Sequence, residues 1–426
     1  MKTKIFRFLM FNHFFILKNF SKSYCEKNEN NSVNTNDNLK SLENSKSKDK
    51  NGIKDKEIKD KRKINVMNNV IDITEYKIDE NKLKNVIDKV NKVKEEYRIF
   101  IQSDTEGKVF NINSTLQIAK IIDINKPINI YYNFENGKFE NNKSENSICL
   151  KLFAVNKNFK GTYIHLGDIV DRCTGNHQCL KSLLYLLYLK QELGEKVNLI
   201  CGNHELTDYF KCGNVNCDCC YDIRDYITLI VFKAISNGQI KYLDKIKIGT
   251  TDYILTHKII YKKDIDQIKY FLKNKMNEKT DLKNYDIFQL IDVVNDNFKK
   301  YFTNFFNMKI KIYQYSSCFD QLSSTIPQNP KTEYIVFGDR VKDLGYDFCL
   351  ENQICGHDHH KINKCYIRNK NILFVDNYSF DLNTYHEKRY QNPMVNIHFF
   401  NKNEELLKHK IFNIIQEESN LTINIY

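Results

Sequence analysis

Three times in one stretch of this chain, a short apolar run ends in a cluster of polar residues and a helical pattern follows. Residues 98–102 lead to Ser103-Asp104-Thr105-Glu106-Gly107 and a helix at 114–122. Residues 161–166 lead to Gly167-Asp168-Ile169-Val170-Asp171-Arg172 and a helix at 180–193, and residues 197–201 lead to Gly202-Asn203-His204-Glu205 and a helix at 222–236. Strand, turn and helix repeated in this way build an α/β sheet with parallel strands joined by crossovers. They also place every polar cluster at the carboxyl edge of a sheet, where open α/β folds hold their ligands.

Later elements are shorter. Apolar runs at 245–248 and 252–256 precede His257, and a strand is expected at 334–337. The segment before Gly356-His357-Asp358-His359-His360 and the runs at 372–375 and 395–400 close the sheets. Residues 261–308 are helical in pattern and lysine-rich, which reads as an insertion, and residues 123–160 read as another. Upstream, Leu83, Val86, Ile87, Val90 and Val93 recur at helical spacing, so 80–96 is expected to form an amphipathic helix within a helical lead-in, 66–96. Residues 1–65 are rich in Asn, Lys, Ser and acidic residues; from residue 21 on they lack the apolar content to offset ordering entropy and read as a disordered tail. The main domain is expected over 97–426.

Charge separates the same regions. The net charge is +12, of which +8 lies in residues 1–65, so the rest of the chain is close to balance and lacks the basic excess of a nucleic-acid binder. No apolar run reaches the roughly 18–20 residues of a membrane helix; residues 5–17 are short, broken by Arg7, Asn12 and His13, and make at best a weak targeting segment. Thirteen cysteines without framework spacing read as reduced thiols in a cytoplasmic, intracellular compartment.

The strand ends offer Asp104, Glu106, Asp168, Asn203, His257, His357 and His359. Oxygen and imidazole donors without a thiolate suit one or two hard-to-borderline divalent ions. One carboxylate such as Asp168 can bridge two ions, and a pair roughly 3.5–4 Å apart can clamp a phosphoryl group. In order along the chain, these motifs resemble the calcineurin-like metallophosphoesterase superfamily, which includes the serine/threonine protein phosphatases.

The resemblance implies a four-layer α-β-β-α sandwich with two mixed sheets, and a metal-dependent phosphoesterase hydrolysing phosphomonoesters of a phosphorylated protein or nucleotide. It assigns Asp104, Asp168 and His359 to one ion and Asp168, Asn203, His257 and His357 to the other. A hydroxide bridging the ions would be the nucleophile, His204 would protonate the leaving oxygen with Asp171 orienting it, and Arg172 would grip phosphate oxygens. A nuclease of the same superfamily and a non-catalytic interaction module on this fold remain the alternatives.

Two departures matter. Glu106 stands where the family usually has a histidine; as a ligand it favours Mn²⁺ or Mg²⁺ over Zn²⁺ or iron. After His257 come Lys258 and Ile259, where protein phosphatases have glycines. Cys212, Cys217, Cys219 and Cys220 crowd one loop, and Cys173, His177 and Cys179 another, which offers ligands for a structural Zn²⁺ against the plainer reading of reduced surface thiols. Gly175-Asn176-His177 reads as a loop, Gly338-Asp339-Arg340 as a turn, His165 as a packed core residue, His360 as a neighbour of the ligands and Asp376 as support beneath the site.

Overall fold

The computed structural model describes residues 70–78, 81, 84, 88, 98–144, 146–170, 177–206, 218–274, 276–307, 348–357, 366–367, 370–375, 394–401, 410–417 and 420–425, with 98, 206, 218–226, 305–307, 366–367 and everything from 394 onward as backbone alone. The tail 1–65, most of the expected helix at 80–96, the strand at 334–337, Arg340, His360 and Asp376 lie outside these residues.

The chain enters as β1 (Ile71–Asp72) and a 3-10 turn at Thr74–Tyr76, within the region expected as a helical lead-in; Asn81, Lys84 and Asp88 are helical and exposed. Next come β2 (Arg98–Gln102), α1 (Val109–Ile118), β3 (Ile122–Asn133), β4 (Lys138–Glu140), β5 (Ser147–Val155), β6 (Thr162–His165), α2 (Gln178–Leu193), β7 (Val197–Ile200), α3 (Asn203–Leu206) and α4 (Asp218–Ser236). The remainder is β8 (Ile240–Lys241), β9 (Leu243–Ile248), β10 (Thr251–Thr256), α5 (Lys262–Asn274), α6 (Ile287–Asn307), β11 (Gln353–Cys355), β12 (Tyr366–Ile367), β13 (Ile372–Phe374), β14 (Met394–Asn401), β15 (Lys410–Glu417) and β16 (Asn420–Ile425). Among the described residues no helix is long and apolar enough to cross a membrane.

The architecture is mixed α/β, with three sheets among the described residues where two were expected. The largest runs β16-β15-β14-β2-β6-β7-β8, with β2, β6, β7 and β8 parallel and β14 antiparallel to β2. A five-stranded sheet runs β12-β13-β11-β10-β9, with β10, β11 and β13 parallel. Residues expected as an insertion, joined by the lead-in, make the third sheet, β1-β5-β3-β4. Its β3–β5 ladder breaks between Asp123 and Pro127, as a residue without a backbone N–H would cause.

Side chains of a strand alternate between its two faces, and here the alternation divides the interior. Ile99, Ile101, Ile164, Leu166 and Ile200 share one buried cluster with Leu255, Ile354, Leu373 and Phe374, so the two larger sheets meet over it. Phe100, Tyr163 and Leu199 belong to the other cluster, with Leu116 of α1, Leu183 of α2 and Ile230 of α4. Each fully buried aliphatic or aromatic side chain is worth about 1.5–3 kcal/mol relative to exposure.

Helix α2 is buried continuously from Cys179 to Leu189. Its one charge there, Lys181, pairs with Glu75 and stands over the Tyr76 ring, which ties the 3-10 turn to the domain. Within the segment expected as an insertion, α5 and α6 are helical and their apolar stripes are core: Phe298 stacks on Tyr242 with ring centroids 3.5 Å apart, and the ring of Phe302 lies 4.6 Å from that of Phe232 of α4.

Candidate metal centre

The loop after β2 is stitched to the loop after β6 by backbone bonds. The N–H groups of Asp104, Glu106 and Gly107 donate to the carbonyls of Gly167, Asp168 and Ile169 at 3.0, 2.8 and 2.7 Å. Asp104, Glu106, Asp168 and His357 all hold φ between 45° and 62°. Left-handed backbone is uncommon outside glycine and concentrates at functional sites. Here it turns the chain sharply at the strand ends, which brings their side chains into one place.

Ligand atoms of Asp104, Asp168, His257 and His357 all lie within 4.8 Å of one another. Asp104 and Asp168 come from the seven-stranded sheet, and His257 and His357 follow β10 and β11 of the five-stranded one. Asp104 and Asp168 are each only 2% exposed. His257 Nδ1 lies 2.7 Å from the Leu166 carbonyl, so that nitrogen donates and Nε2 is turned to Asn203 Oδ1 at 2.9 Å and Asp168 Oδ2 at 3.3 Å. Asp104 Oδ2 accepts from the His357 N–H at 3.1 Å and from the Ser103 hydroxyl.

Electrostatics follow from this crowding. Burial by itself would raise Asp168, but His257 and His204 beside it hold its carboxyl well below the usual range. Burial by itself would depress His257, and the carboxylates of Asp168 and Asp104 outweigh it, lifting the imidazole to about 9. An Nε2 facing two oxygen acceptors, with two buried carboxylates alongside, calls for positive charge. The donor set therefore fits a divalent cation, with no thiolate to favour a soft one.

Two residues the sequence reading left without a role organise the loops. Glu205, fully buried, accepts from the N–H groups of Gly202 (2.7 Å), Asp168 (2.9 Å), Ile169 (2.7 Å) and Val170 (3.1 Å). Burial and the Asp168 charge push it up to about 7, opposed by the N–H groups. His165 is indeed buried, and burial pulls it down to about 3. Its Nδ1 accepts from the Gly167 N–H at 3.3 Å, so Nε2 donates to Thr105 Oγ1 at 3.0 Å. Neither role leaves a spacing signature; the only signal was that Glu205 closes the third polar cluster and His165 shortly precedes the second.

The loops also depend on missing side chains. Gly167 has φ +96°, and a Cβ there would lie 2.5 Å from the Gly202 nitrogen. A Cβ on Gly202 would lie 2.2 Å from both the nitrogen and Oδ1 of Asp168.

Of the other expected site residues, Asn203 joins the centre through His257, and His204 Nε2 stands 3.5 Å from Asp168 Oδ2. Glu106 is buried nearby, but its carboxylate is not in the converging group of four. Asp171, Arg172 and His359 lie outside the described residues, as do Cys173, Cys212 and Cys217. Cys219 and Cys220 are described only as backbone of α4, and Cys179 is buried in α2 among apolar side chains.

No family model matches the chain. No curated protein matches it. Solved structures similar to it include a cold-active protein-tyrosine phosphatase of a psychrophilic Shewanella species, at 14% identity over 77% of this chain and 82% of that chain, with a TM-score of 0.32. A point mutant of a cold-active protein tyrosine phosphatase gives 15% identity, the same coverage and a TM-score of 0.32, and a further structure gives 14%, 77% and 80%, and 0.33. Likeness at that level fixes neither the fold nor the reaction.

Proposed function

We propose that the chain is a metal-dependent phosphoesterase of the calcineurin-like kind, hydrolysing phosphomonoesters. The observation that carries this reading is the convergence of Asp104, Asp168, His257 and His357 within 4.8 Å, from strand ends of two different sheets. The reading includes a four-layer α-β-β-α arrangement. In its support, α1, α2 and α4 share a cluster with one face of the largest sheet, and α6 packs along β9 of the second.

Two divalent ions, Mn²⁺ foremost and otherwise Mg²⁺, Zn²⁺ or iron, would supply Lewis acidity toward a phosphoryl group and a water. Asp104, Asp168, Asn203, His257 and His357 are the residues to hold them, with His359 completing the set and Asp168 shared between the ions. His204 Nε2 beside Asp168 is the atom to carry a proton to the leaving oxygen, with Asp171 orienting the ring. Arg172 is next in sequence and is suited to grip phosphate oxygens.

The test is hydrolysis of an aryl phosphate by the purified chain with and without Mn²⁺. Turnover that requires the ion and is lost in Asp168→Asn supports the reading; ion-independent turnover, or none with any of the four ions, rejects it. A binding module without turnover is favoured by one observation, the Glu106 carboxylate outside the converging group. Uptake of Mn²⁺ without hydrolysis would select that alternative.

A further inference from the structure

We propose that Glu205 is the positioning residue of this centre. Its carboxylate presets the Asp168 loop against the Asn203 loop, so that the ligands are aimed before an ion arrives; this rests on the reading of the site as a metal centre.

Both oxygens of Glu205 are fully used. Oε1 accepts from Ile169 and Val170, and Oε2 from Asp168 and Gly202. Three consecutive N–H groups directed at one point form a cup that selects an anion, and here the anion is the protein's own side chain. All four neighbours donate, so the charged carboxylate is the form that fits, and charge-assisted bonds of this kind are the strong ones. The two loops come from different strands, β6 and β7, and Glu205 is the side chain that holds the N–H groups of both.

The arrangement is reciprocal. While Glu205 accepts from the Asp168 N–H, the His204 N–H donates to Asp168 Oδ1 at 3.0 Å. One oxygen of Asp168 is thereby committed to the start of α3, and Oδ2 is left toward His257 Nε2. Glu205 never touches the converging ligand atoms, yet it determines which Asp168 oxygen faces them. The approach is close: a Cβ on Gly202 would also lie 2.9 Å from Glu205 Oε2.

Glutamine cannot reproduce this, because its amide would set an N–H₂ against backbone N–H groups. In Glu205→Gln the Kd for Mn²⁺, read by electron paramagnetic resonance, should rise about 10–100-fold, the usual effect of losing a partner behind a ligand. The spectrum of the bound ion at saturation should also change, and Glu205→Asp, which keeps the acceptors, should recover part of the affinity. Wild-type affinity and spectrum in Glu205→Gln would overturn the proposal.

Should the variants not fold, hydrogen exchange on the metal-free wild-type chain decides the matter. Amides 168–170 should exchange slowly, and exchange as fast as an exposed loop overturns the proposal. A wild-type chain that takes up no divalent ion would reject the metal-centre reading, while the exchange result still judges whether Glu205 holds the loops.

Discussion

The Nδ1 of His257 lies 2.7 Å from the carbonyl oxygen of Leu166, a bond that crosses from one sheet to the other. It fixes the imidazole with Nε2 toward the ligands, so His257 is expected to bind metal without reorganising. His257→Ala should weaken Mn²⁺ binding by at least on the order of 100-fold, beyond the usual loss for a supporting partner. Calorimetric titration giving an unchanged Kd would remove His257 from the centre.

Asp168→Asn is expected to leave the fold intact and end turnover. Asparagine tolerates the left-handed backbone that Asp168 adopts at φ 53°, so the change removes charge and little else. Circular dichroism should match wild type while hydrolysis of an aryl phosphate disappears; retained turnover would contradict the proposed role.

Gly202→Ala should destabilise the domain by about 1–3 kcal/mol, the cost of overpacking a tight site. The added Cβ meets backbone and a carboxylate oxygen at 2.2 Å, neither of which can swing away as the end of a flexible side chain would. Urea denaturation measures the loss, and wild-type stability would show that the two loops do not approach so closely.

Phe298→Ala should cost about 3–5 kcal/mol, as for other large aromatic truncations in a core. Its ring stacks on Tyr242, which lies at the junction of β8 and β9, so α6 is expected to unfold with the domain and not before it. A change under about 1 kcal/mol in chemical denaturation would mark α6 as a detachable addition.

The strand ends were legible because polar residues follow apolar runs, Asp168, Asn203 and His357 each after a glycine, and the structure brings Asp104, Asp168, His257 and His357 together from these ends. The role of Glu205 was hidden, since a carboxylate that accepts from backbone N–H groups needs no partner side chain and leaves no pairwise pattern. The third sheet was hidden for another reason: β1 contributes only Ile71 and Asp72 and pairs with β5, far along the chain. The burial of α6 was masked by its setting, because the lysine-rich α5 beside it made the whole segment read as an insertion.

The bond from His357 N–H to Asp104 Oδ2 spans 253 positions. During synthesis at roughly 5–20 residues per second, Asp104 leaves the ribosome well before the residue that completes its surroundings. Over that interval of roughly 10–50 s the apolar face made by Ile99, Ile101 and Ile164 lacks the part of its cover that β11 and β13 supply, Ile354, Leu373 and Phe374. Closure of this face therefore waits on strands that leave the ribosome late.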